Sequence, residues 1–288
     1  MKMSGTQKRL AVILFTLVVL TGCLVRKREV ITAGPHPSRP PLTATKEELI
    51  GRIHDTSDPI ESFLMSVNLA PSTGSQYKGV ITDYATVAAY ILFQRPDDIR
   101  IIGQDPVMHT TLFDMVSSGS EFRIHIPRKN RFIIGDNQAP ASSKNDLENM
   151  RPAAILKALL IDPPDPETEI TLLEDDTNES KAVYILLIVR PDRDQYRLVR
   201  NVYFDRYTLQ ILRQKTFEPD GRITSETRYS NWKGYDRVSF PSDIDLKRPQ
   251  ENYEVQFHVI SMKLNPSDVT PGKFLLEQPP GTQLQQLR

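Results

Sequence analysis

The side chain whose type and position together predict chemistry is the thiol of Cys23, the only cysteine among 288 residues. It follows Leu20-Thr21-Gly22 at the exit of an apolar run from Leu10 to Leu20, in which Thr16 is the only polar residue. A lone thiol leaves no intrachain disulfide to form. Other reactive types are scattered. His36, His54, His109, His125 and His258 provide no pair with metal-ligand spacing on one element, so no metal or other cofactor is expected. Carboxylates cluster at Asp97-Asp98, Glu174-Asp175-Asp176 and Asp243/Asp245, and these read as turns or solvated faces. No G-x-S-x-G elbow, Walker A loop or G-x-G-x-x-G run is present. Ser117-Ser118-Gly119-Ser120 is serine-rich but has no readable base. No catalytic residue is assigned and an enzyme is disfavoured; a site assembled from distant strands is the remaining route to catalysis.

Lys2, Lys8 and Arg9 precede the apolar run. A basic start, a short apolar core and small residues at the exit describe a secretory signal over residues 1–22. The core is shorter than the roughly 20 apolar residues of a membrane span. Leu20, Thr21, Gly22 and Cys23 resemble the lipobox of bacterial lipoproteins, in which the cysteine is lipidated and becomes the first residue of the mature chain. An ordinary cleaved signal and a signal anchor are the alternatives. Leu24, rather than an aspartate, follows the cysteine. This favours the periplasmic face of the outer membrane, with the N-terminal lipid as the membrane contact. Residues 23–43 then read as a tether, with Arg26-Lys27-Arg28 followed by Pro35, Pro37, Pro40 and Pro41. Prolines stiffen such a segment, and some twenty residues reach at most roughly 60 Å. The mature chain carries 33 basic against 36 acidic residues and no basic stripe, so nucleic acid is not an expected partner.

Residues 44–288 read as one domain. Thr45-Lys46-Glu47-Glu48 is a capping box opening a short helix that Asp58-Pro59 ends. From Ser62 the apolar period changes to two, giving strands up to Ile134 and again from Ile170 to Leu264. Between them Pro152 to Leu160 reads as a second helix with an apolar stripe. With no crossover helices, antiparallel pairing is expected throughout. The fold class is mainly β (α+β): one curved antiparallel sheet or incomplete barrel with covering helices.

Three stretches carry a family resemblance: Phe93-Gln94-Arg95-Pro96-Asp97-Asp98-Ile99-Arg100, Ser118 to Pro127, and Leu264-Asn265-Pro266 with Phe274 to Gly281. Their order resembles the LolA/LolB-like lipoprotein-carrier superfamily, in particular its lipid-anchored, LolB-type members. The resemblance implies a half-barrel whose apolar hollow accepts acyl chains, so the expected ligand is an acyl chain, a lipid or a lipoprotein. Alternation puts Phe122, Ile124 and Ile126 on one face and Val255, Phe257 and Val259 on another, with Ile155 and Leu159 as a lid; these are the candidate cavity residues. The bland reading is that they merely pack the core. The alternative function is a structural or assembly lipoprotein that binds an envelope protein partner, with a self-filled hollow beside an exposed apolar patch.

Overall fold

The computed structural model describes residues 40–75, 79–137, 149–178 and 180–287. Cys23, the signal segment and most of the tether lie outside the described residues. Two α-helices are present among these residues, α1 (Lys46–Ser57) and α2 (Pro152–Leu159). The strands before α2 are β1 (Ser62–Ser75), β2 (Val80–Asp83), β3 (Val87–Gln94), β4 (Asp98–Gln104), β5 (Thr111–Ser118), β6 (Glu121–Ile126) and β7 (Arg131–Asp136). After it come β8 (Ile170–Asn178), β9 (Lys181–Asp192), β10 (Gln195–Asp205), β11 (Ile211–Phe217), β12 (Ile223–Tyr235), β13 (Val238–Arg248), β14 (Tyr253–Leu264) and β15 (Gln283–Leu287). They form one curved, unclosed sheet in the order β15-β7-β6-β5-β4-β3-β1-β14-β13-β12-β11-β10-β9-β8, with β2 also on β1.

Period-two burial explains the strands. On β1, Phe63, Met65, Val67 and Leu69 are buried, while Leu64, Ser66, Asn68 and Ala70 alternate at the half-buried positions. On β14, Tyr253, Val255, Phe257 and Val259 face the same core. The register shifts between Ser66 and Val67, which leaves Ile260 without a partner on β1 and exposed. This is a bulge, and it lets the two longest-paired strands keep their apolar faces aligned while bending. α1 starts on the expected capping box: Glu48 N–H donates to Thr45 Oγ1 (3.2 Å) and Thr45 N–H donates to Glu48 Oε2 (2.7 Å). Leu42, within the segment read as tether, is already part of the domain. Its N–H donates to Arg206 O (2.7 Å) and its carbonyl accepts from Arg206 Nε (3.1 Å).

The expectation of antiparallel pairing throughout fails at β15, which pairs in parallel with β7 (Gln283 beside Arg131, Leu287 beside Gly135). The cause is the path of the chain. Residues 265–282 leave β14 at one end of the sheet and cross its outer face, so β15 enters beside the start of β7 and runs with it. This crossing segment covers apolar side chains that the half-barrel leaves outside. Val269, Phe274 and Leu276 pack on Leu92, Val116 and Phe132 in a second buried cluster. Two arginines of the sheet hold its backbone. Arg100 grips Asp114 with Nε–Oδ1 of 3.0 Å and Nη2–Oδ2 of 2.7 Å, and its Nη1 donates to Lys273 O at 2.8 Å. Arg123 Nη1 donates to Leu276 O at 3.1 Å.

Arg100→Ala strands the largely buried Asp114 carboxylate and releases the Lys273 carbonyl. The expected loss is about 2–4 kcal/mol in chemical denaturation, with faster amide exchange at 283–287. Lys46→Ala, which removes an exposed ion pair, serves as the control and changes stability by less than about 0.5 kcal/mol. Equal effects of the two substitutions would show that the clamp does not hold the crossing segment.

Candidate functional site

The concave face of the sheet is the largest apolar surface in the fold, and two glycines shape it. Gly103 on β4 faces Phe113 on β5, and Gly135 on β7 faces Phe122 on β6. A Cβ at Gly103 would stand 2.4 Å from the Phe113 ring, and one at Gly135 2.5 Å from the Phe122 ring. Each ring therefore lies over bare glycine backbone, low against its own sheet. The Arg151 guanidinium sits 4.5 Å from the Phe122 ring centroid and is itself buried. Burial holds its pKa below the usual arginine value, against the countering fields of Tyr253 and Glu251.

Arg151 caps the start of α2, whose Pro152 occupies the first helical turn with its φ already set. Ile155, Leu156, Ala158 and Leu159 are buried against the sheet, while Lys157 is exposed. Sheet side chains reach the helix's last carbonyls: Tyr229 Oη donates to Ala158 O (3.0 Å) and Gln214 Nε2 donates to Lys157 O (3.4 Å). Burial pushes the Tyr229 phenol far up and the Tyr253 phenol to about 12. Beyond α2, Arg200 donates to Asp162 O (2.5 Å) and Pro163 O (3.0 Å), and pairs with the buried Glu169 (3.3 Å), which also holds Arg190 (2.9 Å). The exit from the helix is thereby fixed to β9 and β10.

Phe122, Ile124, Ile155, Leu159, Val255, Phe257 and Val259 meet in one buried core, and Ile126 is half-buried against it. Among the described residues, α2 packs Ile155, Leu156 and Leu159 into the space between them. A fissure of about 20 Å³, room for one water, remains between Leu69, Val87, Ile101, Phe113, Met150, Ile155 and Val255. Only Ile155 and Val255 of the expected set line it. A second pocket of about 160 Å³ opens at the opposite end of the sheet, where Phe93, Arg95 and Ser117 face Leu156 and Lys157 of α2. The helix thus lies between two narrow openings with its stripe inserted in the hollow. Arg151, Phe113 and the two glycines were not among the expected residues, whereas Met150, which the sequence offers as core or cavity plug, is buried in the core. A glycine inside an alternating strand was the available signal, since it marks a close approach.

The histidine–carboxylate pairs are elsewhere. His258 Nδ1 lies 2.5 Å from Asp243 Oδ1 across β13 and β14, on the solvated side, and Asn231 also donates to that carboxylate. Partial burial works against ionisation of Asp243, but the bonds from Asn231 and His258 outweigh it and hold the carboxyl below its usual range. His54 Nδ1 is 2.8 Å from Asp58 at the end of α1. Among the described residues no three His, Cys, Asp or Glu side chains are placed to hold a metal ion.

No protein-family model and no curated protein matches this chain. Solved structures match by shape. A LolA superfamily protein from Nitrosomonas europaea superposes with a TM-score of 0.51 at 12% identity, covering 82% of this chain and 99% of the other. A DUF1329 family protein from Desulfovibrio piger gives 0.53 at 14% identity, covering 79% and 95%. A domain from Vibrio parahaemolyticus, named for outer membrane lipoprotein sorting, gives 0.52 at 10% identity, covering 79% and 94%. The chain has a LolA-type fold. At these identities the likeness is one of fold alone, and nothing in it singles out a LolB-type member.

Gly135→Ala forces a methyl group into the Phe122 ring and toward Leu287 O, 3.1 Å away. It is expected to cost about 1–3 kcal/mol in denaturant unfolding, and part of this returns in the Gly135→Ala/Phe122→Leu double variant. Absence of any coupling would separate the glycine from the ring. The two raised phenols give a pH dependence with a definite sign. Their folded pKa values exceed the ordinary value near 10, so their contribution is intact below about pH 10 and is lost as pH rises toward and through 12. Tyr253→Phe flattens that alkaline fall in stability, read by phenolate absorbance together with near-ultraviolet circular dichroism.

Proposed function

We propose that this chain is a lipid-anchored periplasmic protein that takes an acyl chain, from a free lipid or a lipoprotein, into the concave face of its half-barrel at the outer membrane. The observation that carries this reading is the apolar hollow into which a short helix packs, with a pocket on either side of it. Each methylene withdrawn from water contributes about 0.8 kcal/mol, so a dozen carbons give roughly 10 kcal/mol before costs. Lifting Ile155, Leu156 and Leu159 out of the hollow costs about 1.5–3 kcal/mol apiece. The two sums are of the same order, so an acyl chain can replace α2 reversibly, which a carrier requires. The lipobox-like Leu20 to Cys23 and the proline-bearing tether support the anchored location.

The test uses the purified chain, a fluorescent fatty-acid analogue and native mass spectrometry. Saturable uptake is expected, and Ile155→Ala should raise it while lowering stability by about 2–4 kcal/mol. Failure of both proteins to take up the probe or to retain an acyl ligand would overturn the carrier reading. In cells fed an alkyne fatty acid the wild type becomes labelled and Cys23→Ser does not; labelling of both would remove Cys23 as the anchor.

A second reading has its own observation. Side chains of α2 pack into the hollow, and among the described residues β8 is an edge strand exposing Ile170 and Leu172. Those features suit a structural lipoprotein that adds a partner's strand at β8.

A further inference from the structure

A groove of about 440 Å³ lies at the rim of the half-barrel, between the second half of α1 and the turns joining β10 to β11 and β12 to β13. Its apolar lining is Leu209, Ile211 and the half-buried Trp232. Arg52 enters from α1 and Arg237 from the β12–β13 turn, so the two cations come from different walls. Several arginines elsewhere in the sheet are committed: Arg100 to Asp114, Arg200 to Glu169, Arg206 to Asp175. Neither the Arg52 nor the Arg237 guanidinium has a hydrogen-bond or ion-pair partner among the described residues, and both residues are exposed. Asp55 is the one carboxylate of the lining, so the groove keeps a net positive charge. The carbonyl end of α1, which would repel an anion, is occupied. Thr56 Oγ1 donates to Ile53 O (2.9 Å), and Arg95 Nη2 donates to Ser57 O (2.7 Å).

We propose that this groove binds a phosphate group that carries an apolar substituent, with Arg52 and Arg237 on the phosphate oxygens and Trp232, Leu209 and Ile211 under the substituent. Guanidinium forks match phosphate geometry, and two unpaired ones above an apolar floor meet both halves of such a ligand. The groove opens at the end of the sheet where the N-terminal side of the chain joins the domain, since Leu42 exchanges hydrogen bonds with Arg206, two residues before Thr208 of the groove wall. The site is separate from the hollow, so its occupancy does not depend on acyl uptake there.

Trp232 is the only tryptophan in the chain, which makes its fluorescence a direct reading of the groove. The full chain is titrated with a short-chain phosphatidylglycerol below its micelle concentration, with the matching diacylglycerol, and with inorganic phosphate, all at constant ionic strength in chloride. A saturable change with the phosphatidylglycerol and none with the diacylglycerol supports the site. A much weaker response to inorganic phosphate is expected, and equal affinity for it would show that the apolar lining holds no substituent and would overturn the proposal in this form. Arg52→Ala/Arg237→Ala should weaken binding by about tenfold or more, and Arg52→Lys/Arg237→Lys should recover part of it. Both residues are exposed, so the variants should unfold at the wild-type denaturant midpoint. No change with either phosphate compound, or equal affinity in wild type and the double alanine variant, would overturn the proposal.

Discussion

An unclosed sheet with apolar side chains on both faces cannot remain bare, and most of this structure follows from that constraint. The strands from β3 to β7 present Ile91, Phe93, Ile99, Met115 and Phe122 to the inside, and Leu92, Val116 and Phe132 to the outside. A closed barrel would need only an inner filling, and a one-sided sheet only one cover. Here the inner face is met by α1 and α2 and the outer face by the segment between β14 and β15. The parallel pairing of β15 is a by-product of that second cover, because a chain crossing the outer face arrives at the β7 edge from the side where β7 begins.

The two covers are held differently, and the difference bears on function. The outer one is fastened through its backbone by Arg100 and Arg123, with a partly buried ion pair behind the first. The inner helix is held mainly by its apolar stripe, with the Tyr229 and Gln214 side chains on its last carbonyls. Apolar contacts are non-directional, so a guest that offers equal apolar area can substitute for them, whereas it cannot substitute for a guanidinium on a carbonyl. The fold therefore joins a cover fastened by directional bonds to an inner helix held mainly by apolar contact. The flat placement of Phe113 and Phe122 over glycine leaves the sheet smooth beneath α2, which suits an occupant without a fixed shape.

Much of the secondary structure was legible in the sequence, for reasons that can be traced to particular residues. Tyr253, Val255, Phe257 and Val259 alternate without interruption, Thr45 and Glu48 make a capping box, and Pro152 opens an apolar stripe; each of these signals is local. β15 was missed because Gln283 to Leu287 has little apolar content and owes its strand conformation to the β7 edge. Its direction was equally unreadable, since it depends on the route of residues 265–282 across the sheet. The candidate cavity residues could be named from alternation, but alternation does not say whether the space between two faces is filled.

The sequence by itself determined the mainly β class and the position of both helices. All of these rest on periodicity and on residue types within a few positions of one another. Tertiary structure alone decided that α2 fills the hollow, that glycine backbones carry the two phenylalanine rings, and that Arg52 and Arg237 flank one groove. Those arrangements join residues from distant parts of the chain, and they are set by which faces need covering once the strands have paired.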